Sequence, residues 1–324
     1  MSKSGIFTSS IAKKYWMALT GLFLITFLIG HLLGNLQLIT KTGEEGRRAF
    51  NEYAYFMGHN IFIKILAYVT YISILAHAIL GLYLAVKNKQ ARPKNYAYNK
   101  PSANSGTASR NMAILGTIIL VFICTHMANF WYKQKVAETV PLHTTQKTVA
   151  LPVGQDPMSG QPVTGNFDIT YYYTVDGKYE SDYGYYAPEK AYVTIKNGQI
   201  SGVHKTMEDA KRFKVENHTE LIDKSTDLKS GEAAKDLHTV VMNFFGQSEQ
   251  GQPTNQYALW AVILYVISMF VLMFHLWHGF ASAFQSLGLN HKKYNGLISF
   301  VGKAFAIVVP LAFAIIPVMI YLNR

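Results

Sequence analysis

Four histidines are the residues best able to do chemistry: His31, His77, His126 and His275 each lie deep within a different apolar stretch. An ionisable side chain in hydrocarbon is costly, so such a residue points to a functional site. Depth sorts the four. His31 lies sixteen residues beyond Tyr15, and His126 fifteen beyond Asn111. At 1.5 Å per residue these are depths of about 24 and about 22 Å on stretches running in one direction. His77 follows Ile61 by sixteen residues and His275 follows Tyr257 by eighteen, on stretches running the other way. The result is two pairs at two levels, His31 with His126 and His77 with His275, in layers about 15–20 Å apart.

Each pair comes from two segments of like direction, as an axial clamp on one haem iron requires. Neutral imidazole is a good axial ligand, and two of them saturate the iron, which then transfers electrons rather than binding oxygen. Zinc or copper would need three or four ligands converging at one depth. A proton relay would add Asp or Glu within the stretches, which hold none. The expectation is two bis-histidine haems b stacked across a bilayer. His278, one turn from His275, has ligand spacing as well; its place nearer the end of the stretch suits a hydrogen bond to a haem propionate or to a partner protein. Gly30, Gly34, Gly81 and Gly279 lie beside the ligands, where a flat macrocycle needs slender backbones, although small residues also serve ordinary helix packing. His59, His143, His204, His218, His238 and His291 read as solvated. The single cysteine, Cys124, reads as a packing residue.

The elements that must position these ligands are five apolar stretches, 15–38, 61–86, 111–132, 257–287 and 296–322, each able to cross a hydrocarbon core about 30 Å thick. The first is too long for a signal peptide and has no A-x-A ending. With the N-terminus cytoplasmic, the cytoplasmic segments and the entry to the fifth stretch hold Lys3, Lys13, Lys14, Lys87, Lys89, Arg92, Lys94, Lys100, Arg110, Lys292, Lys293 and Lys303, and no Asp or Glu. Every acidic residue falls in the two remaining segments. The positive-inside rule then sets the N-terminus inside and the C-terminus outside, with His31 and His126 in the outer half. The net charge of +11 accordingly indicates a lipid bilayer surface, and no nucleic-acid motif accompanies it.

Residues 133–256 are polar and rich in Tyr and Gly. Asp176-Gly177 and Asn197-Gly198, each between strand formers, predict β-hairpins, since such turns need φ > 0. Residues 141–162 read as an irregular loop with Pro and Gly breaks, 208–215 as a short helix, and 236–245 as an amphipathic helix returning to the bilayer.

The spans resemble the cytochrome b subunit of succinate:quinone oxidoreductases and quinol:fumarate reductases of the single-anchor, two-haem type. The likeness rests on Thr20-Gly-Leu-Phe-Leu-x3-Leu-Ile-Gly-His31, on Ala49-Phe-Asn-x2-Ala-x-Phe-Met57, on His77-Ala-x2-Gly-x-Tyr83, and on Phe274-His275-x3-Gly279 with Phe284 and Gly288. It implies His275 rather than His278 as fourth ligand. It further implies an iron–sulfur subunit and a flavoprotein docked on the cytoplasmic face, and electron transfer through two haems b to quinone, menaquinone among the candidates. The basic face suits partners with acidic rims. The chain alone shows no flavin or dicarboxylate site, so it works as the electron-transferring, quinone-reacting subunit.

The expected fold is an all-α membrane protein, five transmembrane helices forming a dihaem bundle, with an inserted external lobe of mixed α/β structure. Its parts are 1–138, 139–235 and 236–324, in a bacterial inner membrane. Glu52, near the level of the outer haem, is either a proton relay beside a quinone or a solvated loop glutamate. Two other readings stand beside this one: the dihaem anchor of another respiratory complex, such as a hydrogenase or formate dehydrogenase, and a haem-free transporter.

Overall fold

The computed structural model describes residues 9–91, 106–137, 140–248 and 253–323. Lys3, Arg92, Lys94 and Lys100 of the charge pattern, and the expected boundary at Thr139, lie outside them. Five helical segments are long and apolar enough to cross a membrane, with mean hydropathy between 1.9 and 2.6. They are α1 (Ser10–Thr40), α3 (Ile61–Gln90), the segment Met112–Lys135, α9 (Ala258–Ser286) and α10 (Lys292–Leu322). Their starts are capped as the sequence allows. Ser9 accepts from the Ala12 amide, Asn60 from those of Phe62 and Ile63, and His291 from that of Lys293, each satisfying amides that a helix start leaves open. Ile72, Ile79, Val121, Leu264, Phe300 and Val308 are exposed on these helices, an apolar surface on a scale that suits lipid rather than water.

The segment Met112–Lys135 is composite. Helix α5 (Met112–His126), preceded by the short α4 (Thr107–Arg110), passes into a π-helical turn at Met127–Trp131 and then α6 (Tyr132–Lys135). Single π turns inside helices are often associated with functional sites, and this one begins directly after His126.

The chain divides into two compact units: 1–41, 57–132 and 241–324 form one, and 42–56 with 133–240 the other. In the first unit α1 packs on α3, α3 on α5, α5 on α9 and α9 on α1, so four helices close a ring, and α10 packs on α1 and α9. Side-chain contacts give the directions. Lys13 meets Tyr83 and Thr20 meets His77, so α1 and α3 are antiparallel; Phe122 meets Tyr265, with Gly116 beside His275, so α5 and α9 are too.

The second unit is the mixed α/β lobe. It begins with α2 (Gly43–His59), much of which belongs here. An antiparallel meander follows, β1 (Thr144–Gln155), β2 (Pro162–Tyr173), β3 (Tyr179–Tyr186), β4 (Ala191–Lys196) and β5 (Gln199–His204), in that spatial order. After α7 (Met207–Ala210) comes a second sheet, β6 (Phe213–Glu216), β7 (Glu220–Asp223) and β8 (Leu228–Glu232), and then the start of α8 (Leu237–Phe244), which from Val241 on belongs to the first unit. Leu151, Phe167, Ile169, Val193 and Ile195 form the core of the larger sheet. Gly177, Asn197 and Gly198 have φ of 84°, 52° and 75°, the left-handed backbone their hairpin turns need.

Two expectations for this unit are corrected. Residues 144–155, read as irregular loop, are a strand, because β1 lies at the sheet edge where Pro152 forgoes no needed hydrogen bond and a bulge between Pro152 and Gly154 absorbs the break. The helix expected over 208–215 stops at Ala210, because Phe213–Glu216 pair with β7 instead.

Candidate functional site

The ring brings the four spanning histidines together in two pairs. The His31 and His126 ring centres lie 5.8 Å apart with planes at 87°, and those of His77 and His275 lie 6.2 Å apart at 67°. Each pair spans a diagonal, α1 to α5 and α3 to α9. An imidazole nitrogen sits about 1.1 Å from its ring centre and about 2.0 Å from a metal it ligates, so two imidazoles on opposite sides of one metal have centres about 6.2 Å apart. Both separations match that length. Among the described residues no group of three or more His, Cys, Asp or Glu could hold a bare metal ion.

The levels can be measured along the helices. A Cβ on Gly21 would stand 3.2 Å from the His77 ring, and one on Gly116 would stand 3.7 Å from that of His275. His31 and His126 each follow their glycine by ten residues, and Tyr265, which meets His126, precedes His275 by ten. Three helices thus give one spacing, about 15 Å between the pairs. Gly21 and Gly116 were not singled out as ligand neighbours from sequence, since a glycine inside an apolar helix has no local signature. Around Gly30 and Gly279 a Cβ would meet nothing within 4 Å, and at Gly81 it would meet Met17 at 3.7 Å.

Hydrogen bonds at Nδ1 decide which ring nitrogen is free. The Thr20 hydroxyl lies 2.7 Å from the Trp16 carbonyl, to which it donates, and 3.2 Å from His77 Nδ1. With its proton committed, the Thr20 oxygen can accept from Nδ1–H of His77, whose ring also bonds the Met17 backbone. His126 Nδ1 lies 3.3 Å from the Tyr265 hydroxyl, which also meets Asn129 in the π-helical turn. Asn35 donates to the His31 carbonyl at 2.7 Å and stands 3.4 Å from its Nδ1. The Nδ1 of His275 is buried without a hydrogen-bond partner. His278 is half-buried, and the ring that faces His77 is that of His275. Phe27 and Phe313 lie 5.3 and 5.5 Å from His31. Phe122 and Phe130 lie 5.6 and 5.3 Å from His126.

Glu52 stands on a helix, not a loop. Its carboxylate accepts a short hydrogen bond from the Tyr173 hydroxyl and pairs with Arg48 at 3.6 Å. Burial and then this carboxylate push the Tyr173 hydroxyl up, so Tyr173 remains the donor. Glu52 also lines a cavity of about 60 Å³ with Asn51, Tyr55, Tyr173 and Thr174, room for one or two waters. Beside it the lobe holds a buried polar network. Arg47 donates to Asp236 at 2.6 and 2.9 Å. Asn51 donates to Asp236 and to His143 Nδ1, and His143 donates to Glu44 at 2.8 Å. Burial pushes the Asp236 carboxyl up, but Arg47 together with the hydrogen bonds of Thr239 and Asn51 holds the group below its ordinary value. The reading of His143 and His238 as solvated is corrected here, whereas His59, His218 and His291 are exposed as expected. His143 is 0% and His238 3% exposed, because partners distant in sequence close over them.

Compared with protein-family models, curated proteins and solved structures, the chain matches none.

Proposed function

We propose that the chain is a dihaem cytochrome b that anchors a succinate:quinone oxidoreductase or quinol:fumarate reductase in the membrane. One observation carries this reading: two imidazole pairs face each other across one four-helix ring, about 15 Å apart in level. Held between such a pair, a haem b supplies one-electron transfer with no iron position open to oxygen. His31 and His126 hold one haem, and His77 and His275 hold the other. Thr20 holds the His77 ring through Nδ1, and Gly21 and Gly116 keep the backbone clear of the inner rings. The aromatic residues around His31 and His126 keep water from the outer pair.

The charge pattern supports a cytoplasmic N-terminus and a periplasmic C-terminus in a bacterial inner membrane. The acid-free basic face then receives the iron–sulfur subunit that carries the flavoprotein. Electrons leave to a quinone, menaquinone in this reading, near the outer pair. Glu52 takes the proton side of that step, exchanging with water in its cavity. The quoted span motifs support the same assignment.

A reduced-minus-oxidised spectrum of the purified chain tests the reading. Two b-type haems per chain are expected, with iron–sulfur and flavin subunits co-purifying from the native membrane. A stably inserted chain that carries no haem overturns it.

A further inference from the structure

The two sides of the His77/His275 site differ at one position on each of two matching helices. On both α1 and α5 a glycine precedes the histidine by ten residues and lies against the ring of the antiparallel neighbour, Gly21 against His77 and Gly116 against His275. The residue before that glycine is Thr20 on α1 and Leu115 on α5. Thr20 meets His77 Nδ1 at 3.2 Å. Leucine has no acceptor, and the buried Nδ1 of His275 is left without a partner. At the other level both Nδ1 atoms have a polar neighbour, Tyr265 at 3.3 Å and Asn35 at 3.4 Å.

An acceptor at the outer nitrogen of a ligating imidazole raises its basicity and favours the more positive state of the metal. Building on the dihaem reading, we propose that Thr20 and Leu115 are positioning residues that set the potential of the His77/His275 haem. His275 is the weaker donor of its pair, so this haem is easier to reduce than it would be with both Nδ1 atoms bonded.

The experiment is a potentiometric titration of the full chain in detergent, followed at the haem bands, with Leu115→Thr compared with Leu115→Val. Thr and Val share a shape, so their difference isolates the hydroxyl. Leu115→Thr is expected to lower one haem's potential relative to Leu115→Val by about tenfold in its equilibrium constant, about 59 mV for one electron. Thr20→Val should raise the potential of the same haem, identified as the component lost in His77→Ala. Equal potentials in the Thr and Val variants overturn the proposal, as does a shift confined to the haem lost in His31→Ala. A wild-type chain without haem overturns this and the dihaem reading together, whereas haem-loaded variants with unmoved potentials overturn this one alone.

Discussion

Asp182 is 0% exposed on β3, where one carboxylate oxygen accepts from the Phe213 amide of β6 at 3.0 Å and the other has no partner. Burial raises its pKa from 3.8 to about 6, against the opposing pull of the Phe213 and Arg212 amides and of Lys211 and Lys224. The unfolded chain ionises this group near pH 3.8, whereas the folded chain holds the proton to about pH 6. Within that window the unfolded state binds fewer protons, so stability falls as pH rises. Below the window Asp182 contributes nothing, and above it the full penalty stands. Two pH units correspond to about 3 kcal/mol. Asp182→Asn keeps an oxygen for Phe213 and removes the charge. It should therefore stabilise the lobe by about 2–3 kcal/mol at pH 7 and leave it unchanged near pH 4. Hydrogen exchange on peptides from β3 and β6 of the full chain in detergent, corrected for intrinsic rates, measures this at both pH values. Equal protection of the two proteins at pH 7, or a wild-type lobe that gains protection as pH rises from 4 to 6, would refute the reasoning.

Other predictions concern the site itself. His31→Ala or His126→Ala should lose one haem, and His77→Ala or His275→Ala the other, so that haem content by pyridine haemochrome falls by about half, while His278→Ala keeps both. Gly21→Val puts a branched carbon against His77, whose ring already stands 3.2 Å from the place of a Cβ; it should lose the His77/His275 haem, whereas Gly30→Ala, in open space, should keep both. Glu52→Gln should keep both haems and still reduce a soluble dye through the flavoprotein, yet lose quinone-linked turnover. Unchanged quinone turnover there would take Glu52 out of the mechanism.

The depths of the histidines were legible because helix rise is fixed, so counting residues locates a side chain along the membrane normal without any knowledge of packing. The hairpins at Asp176-Gly177 and Asn197-Gly198 were legible because left-handed backbone has few takers. What escaped depends on partners far along the chain. Arg47 and Asp236 are 189 residues apart, and nothing near Arg47 announces a buried carboxylate. Pro152 broke a strand pattern that survives only because β1 is an edge. Tyr265 and Thr20 are ordinary residues of apolar helices until their hydroxyls are found beside His126 and His77.

Why the depth rule works at all follows from the ring. Neighbouring helices are antiparallel, so helices on a diagonal run the same way, and equal depths on a diagonal face each other. Ten residues turn a helix by about 1000°, some 80° short of three turns. A glycine ten residues before a histidine therefore faces an adjacent helix when the histidine faces across the diagonal. Gly21 and His31 on α1 do this toward α3 and α5, and Gly116 and His126 on α5 do it toward α9 and α1. The ten-residue interval thus fixes two things at once, the distance between the two histidine layers and the angle between a histidine and the glycine that lies against the ring of the other layer. One inserted residue in either interval would rotate the upper histidine by about 100° and move it by about 1.5 Å, leaving the level nearly right and the direction wrong. Helix α10 lies outside this constraint. It packs on α1 and α9 and sets Phe313 against His31, a contact that needs no matching depth on a diagonal, which is why a fifth span can belong to the bundle without a paired histidine.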